Sequence, residues 1–177
     1  MGGFIAAERA IAQTEWVERL ALVSAAGIST VHIRREPAEA LARLMAAAAP
    51  LMVRVRERGM RRWRLRYALF RNVFHAPQRL RPELVWEFAH GAQDAPGFLP
   101  ALGALLGYDF QDRLERVRVP TLIVWGRDDR VIRAADALEF ERYLSDSRLV
   151  IFDHCGHVPM AERPVRFNRV LERFLSE

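Results

Sequence analysis

The stretch Val-Pro-Thr-Leu-Ile-Val-Trp-Gly-Arg-Asp-Asp-Arg, residues 119–130, decides the fold class of this chain. Its apolar run Pro120–Trp125 does not alternate with polar residues, which is typical of a strand buried on both faces of a parallel sheet. A helix is expected over Arg133–Tyr143, a strand over Arg148–Phe152 and an amphipathic helix over Pro164–Leu175. Strands and helices that alternate at these lengths predict a βαβ unit and therefore an α/β fold.

The N-terminal residues add a third strand to this sheet. Phe4–Ile11 suits a helix, and Arg19–Ser24 has the composition of a short buried strand that ends at Ala25-Ala-Gly27. A strand of this kind after a helix again favours a parallel sheet. The sequence thus predicts about three parallel strands.

The middle of the chain, from about Arg34 to Asp112, contains no convincing strand. Proline and glycine divide it into four helix candidates, which are Pro37–Ala49, Val53–Phe74, Pro82–Gln93 and Phe98–Leu106. Strands on both sides of an all-helical insertion predict a sheet core with a helical cap. We expect residues 1–33 to form the first piece of the core, 34–112 the cap and 113–177 the second piece.

Composition narrows the class of protein. The chain has 177 residues, of which 51% are apolar, so it is long enough for one core. A single cysteine excludes a disulfide framework and a thiolate zinc cluster. No apolar run is long enough to span a bilayer, and the N-terminus does not resemble a signal peptide. We expect a cytoplasmic protein.

The basic residues of the chain are all arginines, and many lie between Val53 and Arg71. Met60, Trp63, Tyr67 and Phe70 recur there at helical spacing, and arginines fill the other face. A solvated face whose long stems cover apolar surface is the simplest interpretation. A surface for an anionic ligand or membrane is the alternative, whereas nucleic-acid recognition is not expected despite the net charge of +5.

Ionisable groups gather directly after two of the predicted strands. Gly126-Arg-Asp-Asp-Arg130 follows one strand and Asp153-His-Cys-Gly-His157 follows the next. The carboxyl ends of parallel strands meet at one edge of a sheet, where functional groups collect. A carboxylate and a histidine that meet there form the acid–base half of a nucleophilic relay. Nothing in the sequence indicates a metal or another cofactor.

These two segments, with Val-Pro-Met-Ala-Glu-Arg-Pro at residues 158–164, resemble the C-terminal part of the α/β-hydrolase superfamily. Its pattern is a strand, Gly-x-x-Asp, a helix, a strand, then Gly-His followed by Pro and Glu-x-Pro. The resemblance implies that Asp129, three residues after Gly126, is the triad acid and that His157 is the triad base. It also implies a partial α/β-hydrolase fold with an inserted helical cap.

The first residues of the chain match the same family at its nucleophile elbow, Gly-x-Ser-x-Gly-Gly or similar. Gly2 and Gly3 correspond to the two final glycines, so Met1 corresponds to the residue after the nucleophile. The resemblance therefore implies a serine in front of Met1 and no nucleophile within these 177 residues. It also implies that the backbone N–H of Met1 forms half of the oxyanion hole.

Four other side chains compete for roles at the predicted site. Asp128 is expected to be a solvated loop carboxylate, and His154 a neighbour that fills the loop. Ser24 ends a predicted strand but does not lie in an elbow sequence, so it is not expected to be the nucleophile. Cys155 adjoins the base and is expected to be inert.

The resemblance implies a small-molecule ester or related acyl substrate, including C–C bonds beside a carbonyl. Because the nucleophile is not among these residues, we expect little activity from this chain alone. We also expect self-association through an exposed sheet edge at Arg19–Ser24. Two alternatives stay open: a non-catalytic module whose arginine-rich helix binds an anionic partner, and a split enzyme whose other half is a separate chain.

Overall fold

The computed structural model of the chain describes residues 1–32, 62–91 and 97–177, together with the single positions 37 and 40. The elements in chain order are α1 (Gly2–Ala12), β1 (Leu20–Val23), α2 (Trp63–Phe70), α3 (Pro82–Gly91), α4 (Phe98–Leu105), α5 (Gln111–Leu114), β2 (Thr121–Gly126), α6 (Ala134–Tyr143), β3 (Ser147–Phe152), α7 (Pro159–Glu162) and α8 (Pro164–Ser176). Short 3₁₀ helices cover Thr14–Trp16, Ser29–His32 and Pro77–Arg79.

The three strands form a parallel sheet in the order β1-β2-β3. Thr121 of β2 is in register with Leu20 of β1 and with Ser147 of β3. All six residues of the central strand β2 are buried, as its continuous apolar sequence predicts. The predicted α/β class with about three parallel strands is therefore confirmed.

Side chains of β2 alternate between two apolar layers, as the period of a strand requires. Ile123 and Trp125 belong to a core that includes Phe140 of α6 and small residues of α1. Leu122 and Val124 belong to a second core on the opposite face, with Phe152 of β3 and with Phe167 and Phe174 of α8. Helices thus cover both faces of the sheet.

Close packing between α1 and the chain after β1 depends on Gly3. A Cβ atom at Gly3 would lie 2.6 Å from the Cβ of Ala25, so no larger residue fits without a shift. Ala7 and Ala10, which follow on the same helix, are fully buried. At Gly2, in contrast, an added Cβ atom would have no atom of the described residues within 4 Å.

The described part of the middle segment is helical. Apart from positions 37 and 40, the predicted helix Pro37–Ala49 lies outside the described residues, as do residues 53–61 of the arginine-rich helix. Phe70 and Phe74 are buried with Val85 and with Val158, which precedes α7. This cluster joins the middle segment to the sheet-bearing part of the chain, whereas the domain boundaries at 33 and 112 stay a prediction.

The solvated arginine face expected for this part of the chain does not include Arg66. Trp63 is 59% exposed and Tyr67 is also exposed, whereas Arg66 is only 8% exposed. Arg66 donates hydrogen bonds from Nε to the Pro77 carbonyl at 3.0 Å and from Nη2 to the Gln78 carbonyl at 2.7 Å. The backbone of the Pro77–Arg79 turn needs donors, and the guanidinium of Arg66 supplies them, so this one arginine lies on the buried side of α2 with Phe70.

Two further predictions concern the location of the protein and its self-association. Among the described residues, no helix combines the length and the apolarity that crossing a bilayer requires. Within the same residues β1 pairs with β2 alone, which leaves its other edge without a described partner strand. Cytoplasmic location and self-association through that edge stay predictions.

Candidate active site

The loops that follow β2 and β3 are joined by their backbones. Arg127 donates its N–H to the Phe152 carbonyl and Asp128 donates to the Cys155 carbonyl, each at 2.9 Å. At Gly126 a Cβ atom would lie 2.0 Å from the carbonyl oxygen of Gly156. Only glycine allows the end of β2 to approach the second loop this closely, so the residue type at position 126 brings the two loops together.

The Asp129 carboxylate is buried and both of its oxygens accept hydrogen bonds. Oδ1 accepts from the backbone N–H groups of Val131 and Ile132, at 2.8 and 3.0 Å. Oδ2 lies 2.8 Å from Nδ1 of His157. Because an ionised carboxylate only accepts, this contact places the ring proton of His157 on Nδ1. The backbone bonds fix the carboxylate, and the carboxylate in turn fixes the imidazole.

His157 combines one occupied nitrogen with partial access to solvent. Its side chain is 22% exposed, and its backbone N–H donates to the Val73 carbonyl at 2.7 Å. With the proton on Nδ1, Nε2 carries a lone pair and can accept a proton from a nucleophile. The structure therefore brings together the two residues, Asp129 and His157, that the sequence analysis selected.

A second carboxylate–imidazole pair lies beside the first. Asp128 Oδ2 is 2.9 Å from Nδ1 of His75, so this carboxylate has a partner that the sequence analysis did not foresee. His154 adopts a left-handed backbone with φ of 52°, and its ring centroid lies 5.4 Å from that of His75. The side chains of His75, Asp128 and His154 each offer one possible metal ligand, and these atoms lie within 4.8 Å of one another. Among the described residues, this is the group that could hold a metal ion.

Cys155 and Ser24, the two other candidates for a nucleophile, follow β3 and β1. Cys155 is buried, and desolvation, the largest cause, raises the pKa of its thiol to about 12, so the thiolate does not form near neutral pH. Ser24 follows β1 with φ of 45°, and within the described part of the chain its buried hydroxyl has no hydrogen-bond partner. Its backbone N–H donates to the Val124 carbonyl at 3.0 Å.

Met1 stands directly before α1, and its carbonyl accepts from the Ile5 N–H at 3.2 Å. Its side chain packs against the core that contains α1 and β1. Burial lowers the pKa of its α-amino group. The role of Met1 in an oxyanion hole stays a prediction.

A parallel sheet with helices on both faces and a buried carboxylate–imidazole pair beyond its strand ends are both typical of the α/β-hydrolase fold. The model of the alpha/beta hydrolase family matches residues 1–170. The chain belongs to the alpha/beta hydrolase family.

Individual relatives are longer than this chain. It is 28% identical to 2-hydroxy-6-oxo-6-phenylhexa-2,4-dienoate hydrolase of Comamonas testosteroni over 182 residues, which cover 100% of the chain and 60% of the relative. It is 27% identical to monoacylglycerol lipase ABHD6 of Mus musculus over 104 residues, or 58% of the chain and 31% of the relative. The chain thus spans about three fifths or less of these proteins.

The fold is also found in solved structures. A serine hydrolase involved in carbazole degradation superposes with a TM-score of 0.65 at 22% identity, covering 99% of this chain and 60% of that one. At this identity the likeness bears on the fold alone.

Proposed function

We propose that this chain carries the acid and the base of a serine-hydrolase triad. The observation that supports it is the 2.8 Å contact between buried Asp129 and His157 Nδ1, which leaves Nε2 for proton transfer. In the proposed reaction a serine in front of Met1 attacks a substrate carbonyl, and Nε2 of His157 takes the serine proton. The imidazolium returns that proton to the leaving group, and the acyl group stays on the serine.

The second half of the proposed reaction releases the acyl group. His157 accepts a proton from water, the hydroxide adds to the acyl carbon, and the serine oxygen leaves with the proton from the imidazolium. Asp129 stays ionised throughout and stabilises the positive charge on the ring. The backbone N–H of Met1, when a serine precedes it, is proposed to donate one of the hydrogen bonds that stabilise the oxyanion.

The proposed substrates are small-molecule esters or related acyl compounds, including compounds with a C–C bond beside a carbonyl. The names of the two relatives support both kinds, since one is a dienoate hydrolase and the other a monoacylglycerol lipase. Residues 34–112 are proposed to form a cap that shapes the substrate site. The hydrogen bond from His157 to Val73 supports this, because it lies between the base and this segment.

The 177 residues alone are expected to hydrolyse esters at little above background. Loss of the nucleophile from such a triad costs on the order of 10⁶ in turnover. The test is p-nitrophenyl butyrate hydrolysis by the purified chain, with His157→Ala as the matched control. Saturable turnover that disappears in the control would overturn the assignment of the nucleophile to a residue before Met1.

The intact mass of the protein from its source cell complements this assay. A mass above 20.4 kDa, with a serine in the segment before Met1, is expected for the proposed hydrolase. That longer form should turn over p-nitrophenyl butyrate, and His157→Ala should abolish the turnover. If the longer form contains the serine and His157→Ala leaves its turnover unchanged, the proposed role of His157 is contradicted.

A second candidate function is a binding module for an anionic partner. The observation that favours it is the exposed side of α2, where Trp63 lies beside Arg64, whose guanidinium carbon is 5.3 Å from the Trp63 ring centroid. Such a surface suits an anionic vesicle with an apolar interior. Binding to phosphatidylserine vesicles that falls steeply with salt and is lost in Trp63→Ala would support it. Absence of binding at low salt would exclude it.

A further inference from the structure

Glu162, the last residue of α7, connects two segments of the chain that meet at His157. Its Oε1 accepts a hydrogen bond from the backbone N–H of Gly156 at 2.7 Å. Its Oε2 accepts from the N–H groups of His75 and Ala76, at 2.8 and 3.4 Å. One carboxylate therefore holds the loop that carries His157 and the segment 73–76 of the helical middle region.

The two segments also touch each other directly. The N–H of His157 donates to the Val73 carbonyl at 2.7 Å. A Cβ atom at Gly156 would lie 2.5 Å from that carbonyl and 2.9 Å from Oε1 of Glu162. Glycine at position 156 thus lets the backbone of segment 73–76 rest on the backbone of the His157 loop, with the Glu162 carboxylate beside both.

The hydrogen-bond pattern requires a carboxylate. Three backbone N–H groups donate to the two oxygens of Glu162. Both oxygens of a carboxylate accept hydrogen bonds, whereas a carboxamide has one accepting oxygen and a nitrogen that only donates. Hydrogen bonds to a charged acceptor are also stronger than those to a neutral one. Burial raises the pKa of Glu162, and the backbone donors of Gly156, His75 and Ala76 oppose that rise.

We propose that Glu162 is a positioning residue for His157. By holding Gly156 on one oxygen and His75 with Ala76 on the other, it docks segment 73–76 on the His157 loop and thereby keeps the imidazole against Asp129. The importance of this for turnover rests on the proposed function, whereas the positioning itself can be measured in the 177-residue chain without any substrate.

The test is residue-resolved amide hydrogen exchange in the purified chain and three variants. Glu162→Ala removes both acceptors, so exchange at Gly156, His75, Ala76 and His157 should accelerate about tenfold or more. Glu162→Gln keeps one acceptor and should release one arm only, either Gly156 or the His75–Ala76 pair. Glu172→Gln, an exposed glutamate on α8, is the matched control and should change none of these amides.

A merely structural role would give a different pattern. If Glu162 contributed only to overall stability, exchange at the amides of β2 would accelerate by the same factor, and that result would overturn the proposal. The ¹⁵N resonances of the His157 ring give a second readout, which should show loss of the pure Nδ1–H tautomer in Glu162→Ala. If that variant does not fold, the nearly isosteric Glu162→Gln carries both measurements.

Unchanged exchange and an unchanged tautomer in Glu162→Gln would likewise overturn the proposal. The outcome is separable from that of the proposed function. A longer form that hydrolyses no ester would refute the hydrolase proposal while leaving the exchange result intact. Normal exchange in Glu162→Ala, with an active longer form, would refute only the positioning role.

Discussion

The loops after β2 and β3 and the arginine-rich helix α2 are both dense in charged residues, but their charges are held differently. In the loops, Asp129 is fixed by two backbone N–H groups and by His157. In α2, Arg66 is buried on the Pro77 and Gln78 carbonyls, and Trp63 is exposed. Backbone groups near in sequence hold Asp129 in the loops, whereas carbonyl groups of a later turn hold Arg66 on the buried side of α2.

The largest effect that would break this comparison is expected from Gly126→Ala. The added Cβ would lie 2.0 Å from the Gly156 carbonyl and 2.4 Å from the Cys155 carbonyl, both of them backbone atoms. We expect a loss of about 3 kcal/mol or more in the free energy of unfolding, because the two loops must separate. Urea denaturation measures it.

Gly2→Ala is the matched control, since no atom of the described part of the chain lies within 4 Å of the Cβ that it adds. It should leave the free energy of unfolding unchanged or raise it by up to about 1 kcal/mol. A destabilisation by Gly126→Ala no larger than about 0.5 kcal/mol would show that the loops are not held by close backbone contact.

Two aromatic residues of the middle segment test how burial there contributes to the free energy of unfolding. Phe74 is fully buried against Val85 and Val158, so Phe74→Ala should cost about 3–5 kcal/mol of unfolding free energy. Trp63 is exposed, so Trp63→Ala should change the free energy of unfolding by no more than about 0.5 kcal/mol. Thermal and urea unfolding of both variants check this. Equal costs would mean that Trp63 is packed against the rest of the protein.

A smaller effect is expected at alkaline pH from Cys155. Burial raises the pKa of its thiol from the ordinary 9.0 to about 12, so the folded chain binds the proton more tightly than the unfolded chain. The corresponding stability is complete below pH 9 and is lost as pH rises from 9 towards 12.

Between pH 9 and 10 the free energy of unfolding should therefore fall by up to about 1 kcal/mol more in the natural chain than in Cys155→Ala. Urea titrations at both pH values measure the difference. Identical pH profiles would show that the loop after β3 admits solvent to the thiol.

The sequence predicted the sheet well, because strands follow from local patterns. The structure also brings Asp129 and His157 together, as expected from the strand ends, whereas their catalytic roles stay a prediction. The apolar run of β2 identifies a buried strand from the sequence alone, whereas the close approach of the loops at Gly126 and Gly156 is visible only in the structure. The partners Glu162 and His75 were missed, since each contacts segments distant in sequence. The Glu-x-Pro motif at 162–164 was the signal available for Glu162, but spacing alone does not indicate which backbone groups it accepts from.

Helical spacing in the sequence also does not show which residues of α2 are buried. Periodicity shows that one side of a helix differs from the other, but the inward side depends on what the neighbouring segment offers. The Pro77–Arg79 turn offers carbonyl groups, so it attracts Arg66 and leaves Trp63 outside. A buried arginine on backbone acceptors is a tertiary feature that composition cannot reveal.

The most direct test of the account is the tautomer of His157, measured by ¹⁵N NMR of the imidazole rings in the purified chain. The Asp129 contact predicts a proton on Nδ1, whereas an imidazole without a carboxylate partner favours Nε2–H. We expect the Nδ1–H form for His157 in the natural chain and its loss in Asp129→Ala. An Nε2–H form in the natural chain, or no change in Asp129→Ala, would contradict a preformed acid–base pair.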